Sequence, residues 1–364
     1  MKSPLILWTS LLFFSLFLTA CGSESQTPDD PEISYQYQLP ATENDGWQVS
    51  HASDVGLNIS LLEQLTKKLL NERSPVVDGI VVVKDEQLVF EHYFNGYSSS
   101  RLHELQSAVK SIDSALVGIA IDQGFLTDIN QTIFPLLPNY QTLDWSNGKD
   151  QLTLAHLLTM RSGFPCRDGG SGDCNSHKLN QSHNWTYYTL SQAIQDTPGS
   201  TFSYFTGLNI VSHTIIENIT NKTIDDFAME HLFTPLGISK FTWSHSPSGE
   251  ALSGNMLPRD MAKFGQLYLN NGQWQGVQVI SSDWVTASVS EQVKAPLADG
   301  WGYGYWWWLT TTANGKFSYY SARGAKDQFI FVVPDQELVV VFTGNRDSGD
   351  AISYLERYIL ASFE

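Results

Sequence analysis

The chain has 364 residues, enough for a large buried core in one big domain or two. An apolar share of 42% with 16% charged residues describes a globular protein. A formal net charge of −17 argues against nucleic-acid binding, which needs a basic face, and suits neutral or cationic partners.

Lys2 gives the N-terminus a positive charge, and the apolar run "PLILWTSLLFFSLFLTA" follows it. The run is short and terminal, so residues 1–20 read as an export signal rather than a membrane span. It ends in Leu18-Thr19-Ala20-Cys21, small residues and then cysteine, which resembles the bacterial lipobox. That resemblance implies cleavage before Cys21, a lipid on its thiol and membrane attachment in the cell envelope, facing the periplasm. Gly22 in place of aspartate fits an outer-membrane destination. The alternative is an ordinary secretory signal with an incidental cysteine. Residues 21–50 then form the lipidated cysteine and a polar tether, its proline- and acid-containing part being 22–45.

The body, 51–364, opens with a helix. Ser60 and Glu63 make a capping-box pattern, and Leu62, Leu65 and Leu69 recur on one face. "GIVVVKD" and "QLVFEHYF" read as a strand hairpin around Asp85-Glu86. From Leu105 to about Trp284, helical periodicity and long polar loops dominate. Strands return in "FSYYSA", "DQFIFVVP" and "ELVVVFTG", and an amphipathic stretch from Ile352 to Phe363 closes the chain. Strands at both ends and helices between them predict an α+β architecture. In it, an antiparallel sheet from 51–104 and 296–364 is flanked by terminal helices, and a mostly helical region, 105–295, is inserted.

Within the helical region, "CRDGGSGDC" holds Cys166 and Cys174. An exported chain, glycines that let the loop close and the lack of zinc-like His or Cys partners predict a disulfide that pins a loop.

The chemistry centres on "LQSAVKSIDSALVG". Ser107 and Lys110 are i and i+3 on a helix, so they share a face. A serine hydroxyl needs a base to become a nucleophile, and burial favours the neutral amine that could serve. The pair by itself is open: a helix-capping serine and a surface lysine give the same pattern. A second match, Ser146 to Lys149, lies in a polar glycine-containing loop and reads as a solvated turn.

The context of the first match resembles the serine-reactive penicillin-binding and class C β-lactamase superfamily, whose first motif is S-x-x-K. The similar segments are "LQSAVKSIDSALVGIAIDQGFLTDINQTIFPLLP", "LTLAHLLTMRSGF", "PGSTFSYFTGLNIVSHTIIE", "RDMAKFGQLYLNNGQWQGVQVISSDW", "GYGYWWW" and "SARGAKDQFIFVVPDQELVVVFTGNR", together spanning roughly Asp78 to Phe363. The resemblance implies a hydrolase with Ser107 as nucleophile, Lys110 as a base and Tyr204 as second base and leaving-group acid. It needs no cofactor or metal.

Two motifs depart from the family. Thr206 stands where Y-x-N has asparagine, and "ARGAKDQ" replaces K-T-G. The latter is nearer the A-x-G-x-x-G-Q form of esterase and 6-aminohexanoate-oligomer hydrolase relatives, with Asp327 at the second glycine. By that match Gly324 lets the strand approach, and the Ala325 N–H joins that of Ser107 as an oxyanion hole. Arg323 is either a reader of substrate carboxylate or an outward surface residue.

Gly-x-Ser-x-Gly, His-Glu-x-x-His and a phosphate-binding glycine loop are all absent from the sequence. His156 reads as a structural hydrogen-bonder. Trp306, Trp307 and Trp308 cannot all face one way on a strand. The expectation is an envelope serine hydrolase acting on a small ester or amide. The competing expectations are a β-lactamase or D-amino-acid peptidase, or a binding lipoprotein that keeps the fold without turnover. Oligomeric state is not encoded in any pattern here.

Overall fold

A computed structural model describes residues 33–296 and 300–363 of the chain. The export signal and Cys21 lie outside the described residues. The valine-, isoleucine- and phenylalanine-rich strands Val77–Lys84, Gln328–Val333 and Leu338–Gly344 are buried almost throughout. Such strands carry apolar side chains on both faces and belong in the middle of a covered sheet. They sit there: the nine-stranded sheet runs Gln48–Val49, Gln87–Tyr93, Val77–Lys84, Leu338–Gly344, Gln328–Val333, Ser318–Gly324, Trp308–Thr311, Gly302–Tyr303 and Val293–Lys294 from edge to edge. The N-terminal hairpin and the C-terminal strands join where Val77–Lys84 pairs antiparallel with Leu338–Gly344. The hairpin turns at Asp85 and Glu86, both in the left-handed region. The architecture is α+β, and the sheet is antiparallel except for the short edge strand Gln48–Val49, which runs parallel to Gln87–Tyr93.

The chain departs from the sequence expectation in three places. First, the segment read as tether is packed onto the body from Tyr35. The Tyr37 hydroxyl donates to the Val89 carbonyl at 2.7 Å, and Trp47 is buried with its indole N–H on the Arg259 carbonyl at 3.2 Å. Arg259 holds this segment down. Its guanidinium donates to Glu91 at 2.8 Å, to Asp45 at 2.9 Å and to the Ala41 carbonyl at 2.8 Å. Second, helix Ile59–Leu70 is capped by Asn58, whose side chain accepts the Ser60 N–H at 3.0 Å. The Ser60/Glu63 box does not form because Glu63 accepts the Tyr37 N–H at 2.8 Å and is drawn to the N-terminal segment.

Third, the mostly helical region between Leu105 and residue 295 also carries strands that the sequence pattern did not mark. Phe241–His245 and Ala251–Met256 form a second sheet with His103–Glu104. Helix Pro258–Leu269 leaves the helical region and lies on the large sheet. At Gly265 an added Cβ would stand 2.6 Å from Val339 and 2.8 Å from Ile330, so only glycine allows this contact.

Arg259 is 3% exposed, and truncating it would leave Glu91 and Asp45 without their partner. We expect Arg259→Ala to lower unfolding free energy by about 3–5 kcal/mol. Urea denaturation measures it, and a loss below about 1 kcal/mol would show that the N-terminal segment is not held by this residue.

Candidate active site

The site begins with a local distortion. Gln106 adopts φ 50°, a left-handed conformation costly for a residue with a Cβ. It throws the chain into the tight turn Gln106–Ala108, which carries Ser107 and leads into helix Val109–Asp122. Ser107 is half-buried, whereas Lys110, one turn on, is only 3% exposed. The Lys110 Nζ lies 3.1 Å from Ser107 Oγ and 3.0 Å from Thr206 Oγ1. It also sits 5.1 Å from the centroid of the Tyr204 ring. Among the described residues the Tyr204 hydroxyl makes no hydrogen bond to Ser107 or Lys110; the amine meets the ring face instead.

Thr206 stands immediately before helix Gly207–Thr220, which packs against the Lys110 helix. Three buried polar side chains join the two. Asn209 donates to Asp113 Oδ2 at 2.9 Å, and His213 Nε2 lies 2.8 Å from Asp113 Oδ1. Burial alone would push the His213 imidazole down, but the Asp113 carboxylate and its hydrogen bonds outweigh that and raise it. Asp113 is one turn beyond Lys110 and Asn209 one turn beyond Thr206. The buried pair therefore fixes the register in which the amine meets the threonine.

The strand Ser318–Gly324 closes the site from the sheet. An added Cβ on Gly324 would stand 2.4 Å from the Leu105 carbonyl, 2.9 Å from Gln106 Cβ and 3.0 Å from the Ala108 nitrogen. The strand thus presses backbone against the turn bearing Ser107. The following turn holds Lys326 and Asp327 at φ 62° and 58°. Aspartate tolerates this conformation better than most residues that carry a Cβ. Asp327 stabilises it by accepting from the Ser348 hydroxyl at 2.5 Å and the Gly349 N–H at 3.1 Å.

Two cavities meet at Ser107 and Ala325. One, of about 360 Å³, adds Tyr204, Trp301, Trp308, Arg323 and Gly324 to its wall. The other, of about 380 Å³, adds Glu104, Lys110, Asp168 and Thr206. Arg323 is exposed and borders the first, its guanidinium 5.5 Å from the Trp301 ring and 5.8 Å from the Trp308 ring. Of the three adjacent tryptophans, Trp308 lines this cavity. Trp307 stacks on Phe264, and Trp306 donates its indole N–H to the Leu157 carbonyl at 3.1 Å.

The structure thus brings together Ser107, Lys110, Tyr204, Thr206, Arg323, Gly324 and Ala325. Cys166 and Cys174 are disulfide-bonded. His156 completes a capping box with Thr153, away from both cavities. Sequence reasoning missed Asp168, inside the disulfide loop, which accepts the Thr206 N–H at 3.0 Å and the Thr206 hydroxyl. Its position between the two cysteines of "CRDGGSGDC" was the one available signal.

Lys149 corrects the reading of Ser146–Lys149 as a solvated turn. The lysine is 3% exposed and donates to the Leu190 carbonyl at 2.9 Å, because a long stem reaching inward can satisfy its head on a buried carbonyl. Burial pulls its pKa below the ordinary 10.5. Between the lowered value and 10.5 the unfolded chain binds more protons, so this group makes stability rise with pH there. Wild type should therefore gain on Lys149→Met as pH climbs toward about 10.5. A pH-independent difference in urea midpoints would contradict this. Separately, Gly324→Ala should cost about 1–3 kcal/mol, because backbone atoms face the new methyl. An unchanged urea midpoint would show that the strand can move away.

The Beta-lactamase family model matches residues 62–362. Penicillin-binding protein 4 of Amycolatopsis lactamdurans is 26% identical over 282 residues, 66% of this chain and 71% of that protein. The 6-aminohexanoate-dimer hydrolase of Paenarthrobacter ureafaciens is 22% identical over 61% of this chain, and the chain spans 59% of that protein, less than two thirds of its length. Among solved structures, a putative 6-aminohexanoate-dimer hydrolase from Bacillus anthracis superposes with a TM-score of 0.68 at 22% identity, over 92% of this chain and 88% of that one.

Proposed function

Because the chain belongs to the beta-lactamase family of serine hydrolases, we propose that it cleaves a small ester or amide through an acyl-enzyme on Ser107. The observation that carries this reading is the buried Lys110 amine, 3.1 Å from the Ser107 hydroxyl at the seam of two cavities.

In the neutral form, Lys110 takes the Ser107 proton as Oγ attacks the substrate carbonyl carbon. The carbonyl π electrons move to oxygen, and the N–H groups of Ser107 and Ala325 stabilise that oxyanion. Collapse of the tetrahedral intermediate breaks the bond to the alcohol or amine, which takes a proton from the Tyr204 hydroxyl. The proton held on Lys110 restores the tyrosine. Water then attacks the acyl-enzyme carbonyl, releasing the acid and returning the proton to Ser107.

The replacement of K-T-G by "ARGAKDQ" favours esters and linear amides over β-lactams. The hydrolases of 6-aminohexanoate dimer named above lend support to an amide. The leader "LTAC" supports a place in the cell envelope, anchored to the outer membrane through lipid on Cys21.

A fluorescent phosphonate should label wild-type protein and not Ser107→Ala. Labelling of the variant would remove Ser107 as nucleophile. Lys110→Ala and Tyr204→Phe should each slow acylation by about 10²–10⁴-fold. A turnover panel of p-nitrophenyl esters, nitrocefin, D-Ala-D-Ala peptides and linear amides identifies the class. Nitrocefin turnover exceeding all others would make the protein a β-lactamase.

A further inference from the structure

We infer that Asp168, carried on the disulfide-closed loop, is a positioning residue that commits the Thr206 hydroxyl proton and so keeps the Lys110 lone pair for Ser107. The inference rests on Ser107 and Lys110 acting as proposed above.

The loop is tied to the second-motif segment at several points. The Ser203 hydroxyl donates to the Cys166 carbonyl at 2.7 Å, and the Asp168 N–H donates to the Tyr204 carbonyl at 2.9 Å. The Arg167 N–H meets the Cys174 carbonyl at 3.2 Å, so the ring closed by the disulfide is also cross-braced. These contacts hold the Asp168 carboxylate square against Thr206. One oxygen accepts the Thr206 N–H at 3.0 Å and the other accepts its hydroxyl.

A hydroxyl has one proton and two lone pairs. A carboxylate is the strongest acceptor within reach, and a charge-assisted bond holds that proton firmly. Thr206 therefore has only lone pairs to offer Lys110, whose Nζ lies 3.0 Å away. A neutral lysine amine has two N–H bonds and one lone pair. Giving one N–H to Thr206 leaves the second N–H and the lone pair, and rotation of the amine can then bring that lone pair onto its other neighbour, Ser107 Oγ at 3.1 Å. Without the carboxylate, the Thr206 hydroxyl is free to donate into that same lone pair and compete with the serine.

An asparagine at this position would offer an amide carbonyl oxygen, which can only accept. Threonine does not, and Asp168 supplies the missing direction. The residue acts through Thr206 and is not itself required to touch substrate.

The test is a double-mutant cycle on the full chain, with phosphonate acylation rate and ester kcat and KM as readouts. Asp168→Asn should lower the acylation rate and kcat by about 10- to 100-fold with KM within about twofold. Thr206→Val should do the same, and the double variant should be no slower than the slower single one, because both break one link. Asp168→Glu, which keeps the carboxylate, should recover most of the rate.

Wild-type rates in Asp168→Asn, losses that multiply in the double variant, or a loss confined to KM would each overturn the inference while leaving Ser107 chemistry intact. Should Asp168→Asn fail to fold, Thr206→Val still decides, since it retains the backbone bond to Asp168; a wild-type rate there refutes the role. Wild-type protein that the phosphonate does not label would overturn both this inference and the reading it rests on.

Discussion

A lysine head group in a protein interior is costly unless its hydrogens find partners. The organisation of this molecule follows from meeting that cost at Lys110. The partners come from two directions: Ser107 on the turn just before the lysine's helix, and Thr206 at the start of another. Two helices offering one partner each must be kept in register to within a few tenths of an ångström. The Asp113, Asn209 and His213 cluster, buried one turn deeper on the same two helices, supplies that register. A buried charged pair is weak evidence for stability, but fixing a unique register is the best-attested use of such groups. Here the geometry that depends on it is specific: shifting either helix by one residue would carry Thr206 off the lysine face.

The sheet imposes the second constraint. Gln106 in a left-handed conformation lifts Ser107 out of the helix toward the sheet, and Gly324 lets the facing strand come into backbone contact with that turn. Strain at Gln106 and the missing side chain at Gly324 are complementary. The first presents the hydroxyl, and the second opens room for backbone N–H groups beside it. Neither feature contributes to the core, and each costs conformational energy that the buried central strands around them offset.

How much of this was legible in the sequence follows from the range of each signal. Apolar runs and periodicity mark elements locally, so the hairpin at Asp85–Glu86 and the C-terminal strands could be read directly. The i, i+3 spacing of Ser107 and Lys110 is local too; polar, glycine-containing surroundings set Ser146 and Lys149 apart, and ordered motifs further along made the first pair a candidate site. Contacts made by single polar atoms across long stretches left no pattern. Glu63 looks like a capping partner for Ser60 until Tyr37 claims its carboxylate. Lys149 looks solvated until the carbonyl of Leu190 appears beside its head group. Asp168 is one of several acids in polar loops, and nothing about it in the sequence points at Thr206.

The two departures from the family pattern fall on opposite sides of Ser107. Thr206 lines the cavity that also holds Lys110 and Asp168. Arg323 lines the other, among Trp301, Trp308 and Tyr204. A change on the first side alters how the lysine is held and must be compensated nearby, and the Asp168 carboxylate is placed to do so. On the second side Arg323 itself touches aromatic rings rather than Lys110 or Ser107, although Tyr204 shares that wall. The division separates the contacts of Arg323 from those of the Lys110 amine. It also explains why the first, second and third motifs, which a sequence comparison treats as one signature, carry separable physical duties in this chain.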